Sequence, residues 1–186
     1  MVVLILVAVL VLVAVIAAIM LKGKGGSRKD TVDIKNKNEA KLLKEATRRL
    51  EKDPDNVAAL TQLSDLYFEK ELYDRALPYL RNLVRIAPIH SDVNEGKVSL
   101  RAGICLCKAQ EWGEALKFLL QSNMKDASNF EVNYYLGLVY VNMKDYGKAV
   151  PCLKKALIVN PASTTANMLV ARCFYEQRHF KEALPY

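Results

Sequence analysis

Histidine is nearly absent from this chain. There are two, His90 and His179, and neither stands at a recognisable spacing from a serine or cysteine that it could activate. Catalysis needs acids, bases or nucleophiles converging on one place, so this scarcity argues against an enzyme. Cysteine is scarce as well: Cys105, Cys107, Cys152 and Cys173 are the whole supply. Cys105 and Cys107 lie two apart in a helical pattern, where side chains at that spacing point in different directions. No second pair and no Cys/His cluster completes a metal site. The thiols read as small apolar helix residues, and unpaired thiols favour a reducing compartment. A phosphate-binding glycine loop is missing too, because Gly23-Lys24-Gly25-Gly26-Ser27 lacks the required spacing and preceding strand. No cofactor and no metal is expected.

Charge is present but uneven. The net +7 is concentrated early: Lys22, Lys24, Arg28 and Lys29 contribute +4, whereas everything from Asp53 onward sums to +1. A nucleic-acid partner would need a basic footprint on the folded part, so none is expected.

Residues 1–21 contain no charged or polar side chain. At about 1.5 Å per helical residue they span about 31 Å, close to the hydrocarbon thickness of a bilayer. A cleaved signal peptide would want a basic start and a small-x-small cleavage site. Nothing basic precedes Val2, and Ala17-Ala18-Ile19-Met20 is a poor site. The expectation is an uncleaved transmembrane helix. With Lys22, Lys24, Arg28 and Lys29 placed to meet anionic lipid heads, the positive-inside rule puts the C-terminal side of that helix in the cytoplasm. Residues 22–35 then form a basic, glycine-rich tether.

The rest of the chain repeats itself every 34 residues. Gly103, Gly137 and Ala171 keep that interval; so do Trp112, Tyr146 and Phe180, and Ala115, Ala149 and Ala183. Such a period, with small and aromatic residues in fixed register, indicates antiparallel helix pairs stacked as a solenoid. The clearest copy runs Tyr134-Tyr135-Leu136-Gly137, then Tyr140, Tyr146, Ala149, Leu153, Ala156 and Pro161. An earlier one has Leu60, Leu63, Ser64, Tyr67, Tyr73, Ala76, Leu80 and Pro88. The copy between has Gly103, Leu106, Trp112, Ala115 and Leu119, and ends in Ala127 rather than proline. These copies resemble tetratricopeptide (TPR) repeats, although Asn133 stands where that family's opening tryptophan would be.

The expected fold is an all-α TPR solenoid of antiparallel helix pairs, preceded by one transmembrane helix. Residues 36–56 form an N-terminal amphipathic helix closed by Asp53-Pro54-Asp55-Asn56, covering the first repeat. Repeats follow at 57–90, 96–129 and 130–163, with a five-residue insertion at 91–95 that is expected to lengthen the next helix. Pro78, Pro151 and Pro185 are placed in the first turn of each second helix, where no N–H bond is lost. Residues 164–186 hold a truncated fourth repeat, so the chain reads as a fragment of something longer.

The helical registers place Thr61, Asp65, Phe68 and Glu69 on the concave face, then Leu100, Ile104, Cys107 and Lys108. Tyr134, Leu138, Val141, Asn142, Met168, Arg172 and Tyr175 continue it. The carboxylate clamp that some TPR proteins use is missing, since only Lys108 and Arg172 are groove cations. An apolar or amphipathic peptide segment is therefore the expected occupant, anchored on Leu100, Tyr134, Leu138 and Tyr175. A further turn of superhelix, or the protein's own tail, would satisfy the same stripe. The combination loosely resembles bacterial membrane-anchored TPR regulators of lipopolysaccharide assembly. It implies a bacterial inner-membrane scaffold facing the cytoplasm. A cell-envelope scaffold, the regulatory part of a longer protein, and an organelle import receptor are the other readings.

Overall fold

The computed structural model describes residues 37–186, and from Ala40 onward they form one compact unit. The expected span at 1–21, the tether at 22–35 and the four basic residues after the span lie outside the described residues. No described helix is long and apolar enough to cross a membrane. Helix α1 is Lys37–Lys52. Three hairpins follow: α2 (Val57–Glu69) with α3 (Tyr73–Ile86), α4 (Glu95–Lys108) with α5 (Trp112–Lys125), and α6 (Phe130–Asn142) with α7 (Tyr146–Val159). Helix α8 (Thr164–Glu176) and the short α9 (Phe180–Ala183) begin a fourth.

Each first helix starts at the same device. Asn56, Asn94, Asn129 and Ser163 accept a hydrogen bond from the backbone N–H three residues on, a cap worth about 1 kcal/mol. Each first helix ends alike. Glu71, Gln110, Lys144 and Arg178 take φ of 57°, 60°, 61° and 61°. The N–H of the next residue then reaches the carbonyl five back, as in Leu72 to Tyr67 at 2.9 Å and Asp145 to Tyr140 at 2.9 Å. This left-handed turn satisfies carbonyls that the helix end would orphan, and it folds the second helix back on the first.

The hairpins close on a small residue. A Cβ on Gly103 would lie 2.7 Å from Leu119 Cγ, and one on Gly137 2.5 Å from Leu153 Cγ. Ala115, Leu119, Ala149, Leu153 and Ala156 are fully buried at these contacts. Between hairpins, Val141, Val170 and Cys173 join Ala149 and Leu153 in one core, flanked by Tyr140, Tyr146 and Phe174. At the other end Leu60, Leu83 and Ile86 form a core on which Leu50 of α1 packs. Each fully buried side chain of this size contributes about 1.5–3 kcal/mol. Asn133, in the tryptophan position, is buried and donates to the Ala127 and Asn129 carbonyls at 2.8 and 2.9 Å. It satisfies the turn where a ring would have filled space.

Two expectations change. The insertion does not lengthen α4 by a turn: it has 14 residues against 13 in each of α2, α6 and α8. Instead the chain makes a short 3-10 turn at Ala87–Ile89 and a loop whose Val93 packs on the Leu60 core. Asn94 caps the helix at its usual place, and that stops upstream growth. Pro78 and Pro151 sit five residues inside α3 and α7 rather than in the first turn. Each denies a helical donor to the carbonyl four residues earlier, and both prolines are exposed. Pro185 lies beyond the end of α9.

Helix α4 touches α6, and α6 touches α8, whereas no two of α3, α5 and α7 make comparable contact. Within this unit the first helices therefore crowd the inside of a bend.

Gly137→Ala is expected to cost about 1–3 kcal/mol, because the buried Leu153 must move. Gly113→Ala, whose added methyl meets nothing within 4 Å, should be neutral or raise stability by up to about 1 kcal/mol. Lys144→Gly relieves a left-handed lysine and should stabilise by about 0.5–1 kcal/mol. Urea unfolding of the three variants, followed by circular dichroism, checks all three signs.

Candidate protein-interaction groove

The inner face is built by α2, α4, α6 and α8. The capped starts and left-handed ends set their rotation, so residues 34 apart present the same side. Of the expected groove positions, Lys108, Asn142, Met168, Arg172 and Tyr175 are exposed, and Phe68, Tyr134 and Leu138 are half-buried. Met168 and Tyr175 stand out at 64% and 65% exposure.

Leu100, Ile104 and Val141 are corrections. Their exposures are 7%, 6% and 2%, so they are core rather than lining, and Cys107 is buried with them. Helix α4 packs against both α5 and α6, and of these residues Leu100 keeps an edge on a cleft, at the starts of α4 and α6. Val141 faces α7 and α8 in the Leu153–Val170 core. Asn142 is exposed, but its amide donates to the Leu138 carbonyl at 2.8 Å, so its side chain is tied to its own helix.

The structure adds residues that the helical registers did not single out. Arg101 pairs with Asp65 across α2 and α4, and its guanidinium lies 5.0 Å from the centre of the Phe68 ring. Phe68 meets Tyr73 edge-on at 5.5 Å, and the Lys108 ammonium lies 5.6 Å from the Tyr73 ring. Such cation–ring contacts contribute about 0.5–1 kcal/mol each at exposed sites. Tyr134 meets Tyr135 edge-on at 5.2 Å and stacks on Phe130 at 6.0 Å. Burial pushes the Tyr135 phenol up to about 12, with Tyr134, Cys107, Glu131 and Tyr73 adding in the same direction. These neighbours place Tyr135 between the repeats. The pairing of large aromatics with cations in adjacent repeats, Phe68 with Arg101 and Tyr73 with Lys108, was the signal available, but it crosses the insertion and so has no fixed period.

Beside this lattice a cleft of about 140 Å³ opens between α2 and α4, lined by Thr61, Asp65, Asp92, Val93, Lys97 and Arg101. A larger one of about 310 Å³ lies at the start of α4 and α6, among Asn94, Leu100, Ser122, Lys125 and Glu131. The groove is thus aromatic and apolar toward α6 and α8 and polar toward α2. What it can do is hold an extended or helical segment by ring contact and burial; its own polar groups are largely engaged with one another.

The thiols are poor nucleophiles. Burial pushes Cys105 and Cys107 from 9.0 up to about 12 and Cys173 up to about 11, and raises Cys152 as well. Among the described residues no group of three His, Cys, Asp or Glu side chains could share a metal ion.

Each of these raised groups is held protonated by the fold. Their contribution to stability is whole below the unfolded thiol range, near pH 8.5, and is lost as pH rises toward the folded values. Urea midpoints should therefore fall steadily above pH ~9. In the folded protein an alkylating reagent should modify half-buried Cys152 first and leave Cys105, Cys107 and Cys173 until denaturant is added; mass spectrometry of timed samples reads the order.

Residues 40–88 and, separately, residues 130–163 match family models of the tetratricopeptide repeat. No curated protein matches the chain. Among solved structures it is similar to MamA, at 21% identity and a TM-score of 0.71, covering 82% of each chain. It is also similar to MamA from Desulfovibrio magneticus RS-1, at 18% identity and a TM-score of 0.68 over 82% of this chain and 83% of that one. A third is YrrB, described as a TPR protein with an unusual peptide-binding site, at 18% identity and a TM-score of 0.71 over 80% and 74%. At these identities the likeness shows the fold. Residues 96–129 match neither model, yet they form the same hairpin, with Gly103 against Leu119. The capped first helices, the left-handed turns, the small-residue contacts and the two family matches together identify a chain that carries tetratricopeptide repeats in an all-helical solenoid.

Proposed function

We propose that this protein is a membrane-tethered scaffold that holds an apolar or amphipathic segment of a partner protein along its first-helix face, on the cytoplasmic side of a bacterial inner membrane. The observation that carries the binding half is the apolar run from half-buried Tyr134 and Leu138 on α6 to exposed Met168 and Tyr175 on α8. Water-facing aromatic and aliphatic side chains in a row, on a face built by rigid helices, fit a helix or strand laid across them. The peptide-binding description of YrrB, a neighbour of the same fold, supports this class of activity. Lys108 and Arg172 give the segment two points for an acidic side chain.

The tethering half is supported by sequence alone. The apolar run at 1–21 and the basic residues Lys22, Lys24, Arg28 and Lys29 fit a span whose C-terminal side stays in the cytoplasm.

Two experiments test the halves separately. A photo-crosslinking amino acid in place of Leu138 or Tyr175, in the full chain in bacteria, should give one dominant protein adduct. The same group in place of Lys117 should not give it. Tyr175→Ala should weaken that association by about tenfold, and Leu138→Glu should abolish the adduct made at Tyr175, with the helical circular dichroism signal unchanged. Adducts that are equal at all three positions would defeat the groove. For orientation, alkaline phosphatase and a cytoplasm-active fluorescent protein are fused in turn after Tyr186. Fluorescence without phosphatase activity is expected, and the reverse would move the scaffold to the cell envelope.

A further inference from the structure

The second helices carry a charge pattern that the groove does not use. Together α3, α5 and α7 hold eight basic residues and two acidic ones, Asp74 and Glu114. That is +6 on three helices, in a stretch from Asp53 onward whose total is +1. Both acids lie in first turns, and beyond them the three helices contain no acid. Helix α7 has three lysines and no acid at all. Half of the eight are paired with acids: Arg81 with Glu114 at 2.6 Å, Arg85 with Asp55, Lys125 with Glu95 at 2.6 Å, and Lys148 with Asp145 at 2.8 Å. Lys117, Lys154 and Lys155 have no acidic partner among the described residues; the Lys154 ammonium lies 5.3 Å from the Phe174 ring and 6.0 Å from the Tyr186 ring.

At the ends of these same helices, large apolar side chains stand in water. Met124 at the end of α5 and Ile158 at the end of α7 are 34 residues apart and are 77% and 80% exposed. Ile89, just past α3, is 80% exposed, and Val159 is 55% exposed. Each of the three hairpins thus puts an unburied apolar residue at the close of its second helix. None of these residues joins a core, so packing does not account for them.

Cations without acids, interleaved with protruding aliphatic side chains, are the composition that binds an anionic bilayer surface. A phosphate backbone would use the lysines but has nothing for Ile89, Met124 and Ile158, and none of the three is an aromatic on which a base could stack. We infer that the outer edge formed by the ends of α3, α5 and α7 docks on the anionic headgroups of a membrane, with Ile158 and Met124 entering the headgroup layer and Lys117, Lys154 and Lys155 meeting the lipid phosphates. The inference rests on the tethering proposed above for bringing the solenoid to a bilayer, and it would leave the first-helix face turned away and open to a partner.

The test uses the full chain carrying Cys152→Ser and Ile158→Cys, labelled with a lipid-sensitive fluorophore; the three remaining native thiols are protected by burial. The protein is mixed with vesicles of phosphatidylcholine, or of phosphatidylcholine with phosphatidylglycerol, each containing a lipid-borne quencher. Quenching at this position should rise severalfold on the anionic vesicles. It should return to the neutral-vesicle level in high salt and in the triple variant Lys117→Glu/Lys154→Glu/Lys155→Glu, with circular dichroism confirming the fold. A label at Thr61→Cys, on the first-helix face, should stay unquenched. Equal quenching at both positions, or none at Ile158→Cys on anionic vesicles, overturns the inference. So does a label that responds to RNA but not to those vesicles, which would assign the edge to nucleic acid. Retention through an alkaline carbonate wash reports the anchor alone. A chain that washes off but still shows the anionic quenching loses the anchor and keeps the docking edge.

Discussion

The repeats depend on how closely two helices approach where Gly103 meets Leu119 and Gly137 meets Leu153. Removing the Cβ at one partner lets the leucine of the other fill its place, with separations that a methyl could not share. That contact sets the distance between first and second helix, and the left-handed residue between them sets the reversal. Repeat one has Ser64 at this position, buried, with its hydroxyl donating to the Thr61 carbonyl at 3.0 Å, and its two helices pack less closely than those of the glycine-bearing hairpins. A polar side chain is tolerated there because it satisfies itself locally.

That constraint is why so much of the fold was legible. A small residue, an aromatic and an alanine at fixed spacing record a hairpin directly, because each occupies a contact within one repeat. The middle copy was legible as well, although Ala127 and the insertion obscure it. What the sequence left unread lies between repeats. A helical register states the angle at which Leu100, Ile104 or Val141 leaves its helix. It does not state which angles the neighbouring first helix closes, and that depends on the bend of the array. Position alone therefore put buried Val141 and exposed Tyr175 in one class. The insertion failed for a related reason: Asn94 keeps its capping role, so the added residues had to form a loop.

The junctions are consequently unlike one another. Between the third and fourth repeats, Val141, Val170 and Cys173 make an apolar seam with Leu153. Between the first and second, α2 and α4 stand apart and are bridged by the Arg101–Asp65 pair with Phe68 beneath the guanidinium. In a solenoid, stability is a sum of repeat terms and neighbour terms. A half-exposed ion pair is a weak neighbour term, whereas an apolar seam is a strong one. The first hairpin is thus held to the array more by Val93 and Val98 on the Leu60 core than by its groove-side contacts. The apolar seam lies toward α6 and α8, the end where the exposed side chains Met168 and Tyr175 are found.

The two faces divide the same residue types by what stands next to them. On the inner face Lys108 lies over Tyr73, and Arg101 over Phe68, so cation and ring order each other and present a fixed surface. On the outer edge Lys117 and Lys155 have neither ring nor acid, and the aliphatic residues at the ends of the same helices project unburied. Ordered cations give geometric selectivity toward one segment, because their positions are already set when it arrives. Unordered ones give attraction to any dense negative surface, with little demand on shape. A chain from Asp53 onward with almost no net charge can do both only by separating its charges. The concentration of lysine and arginine on the second helices is that separation.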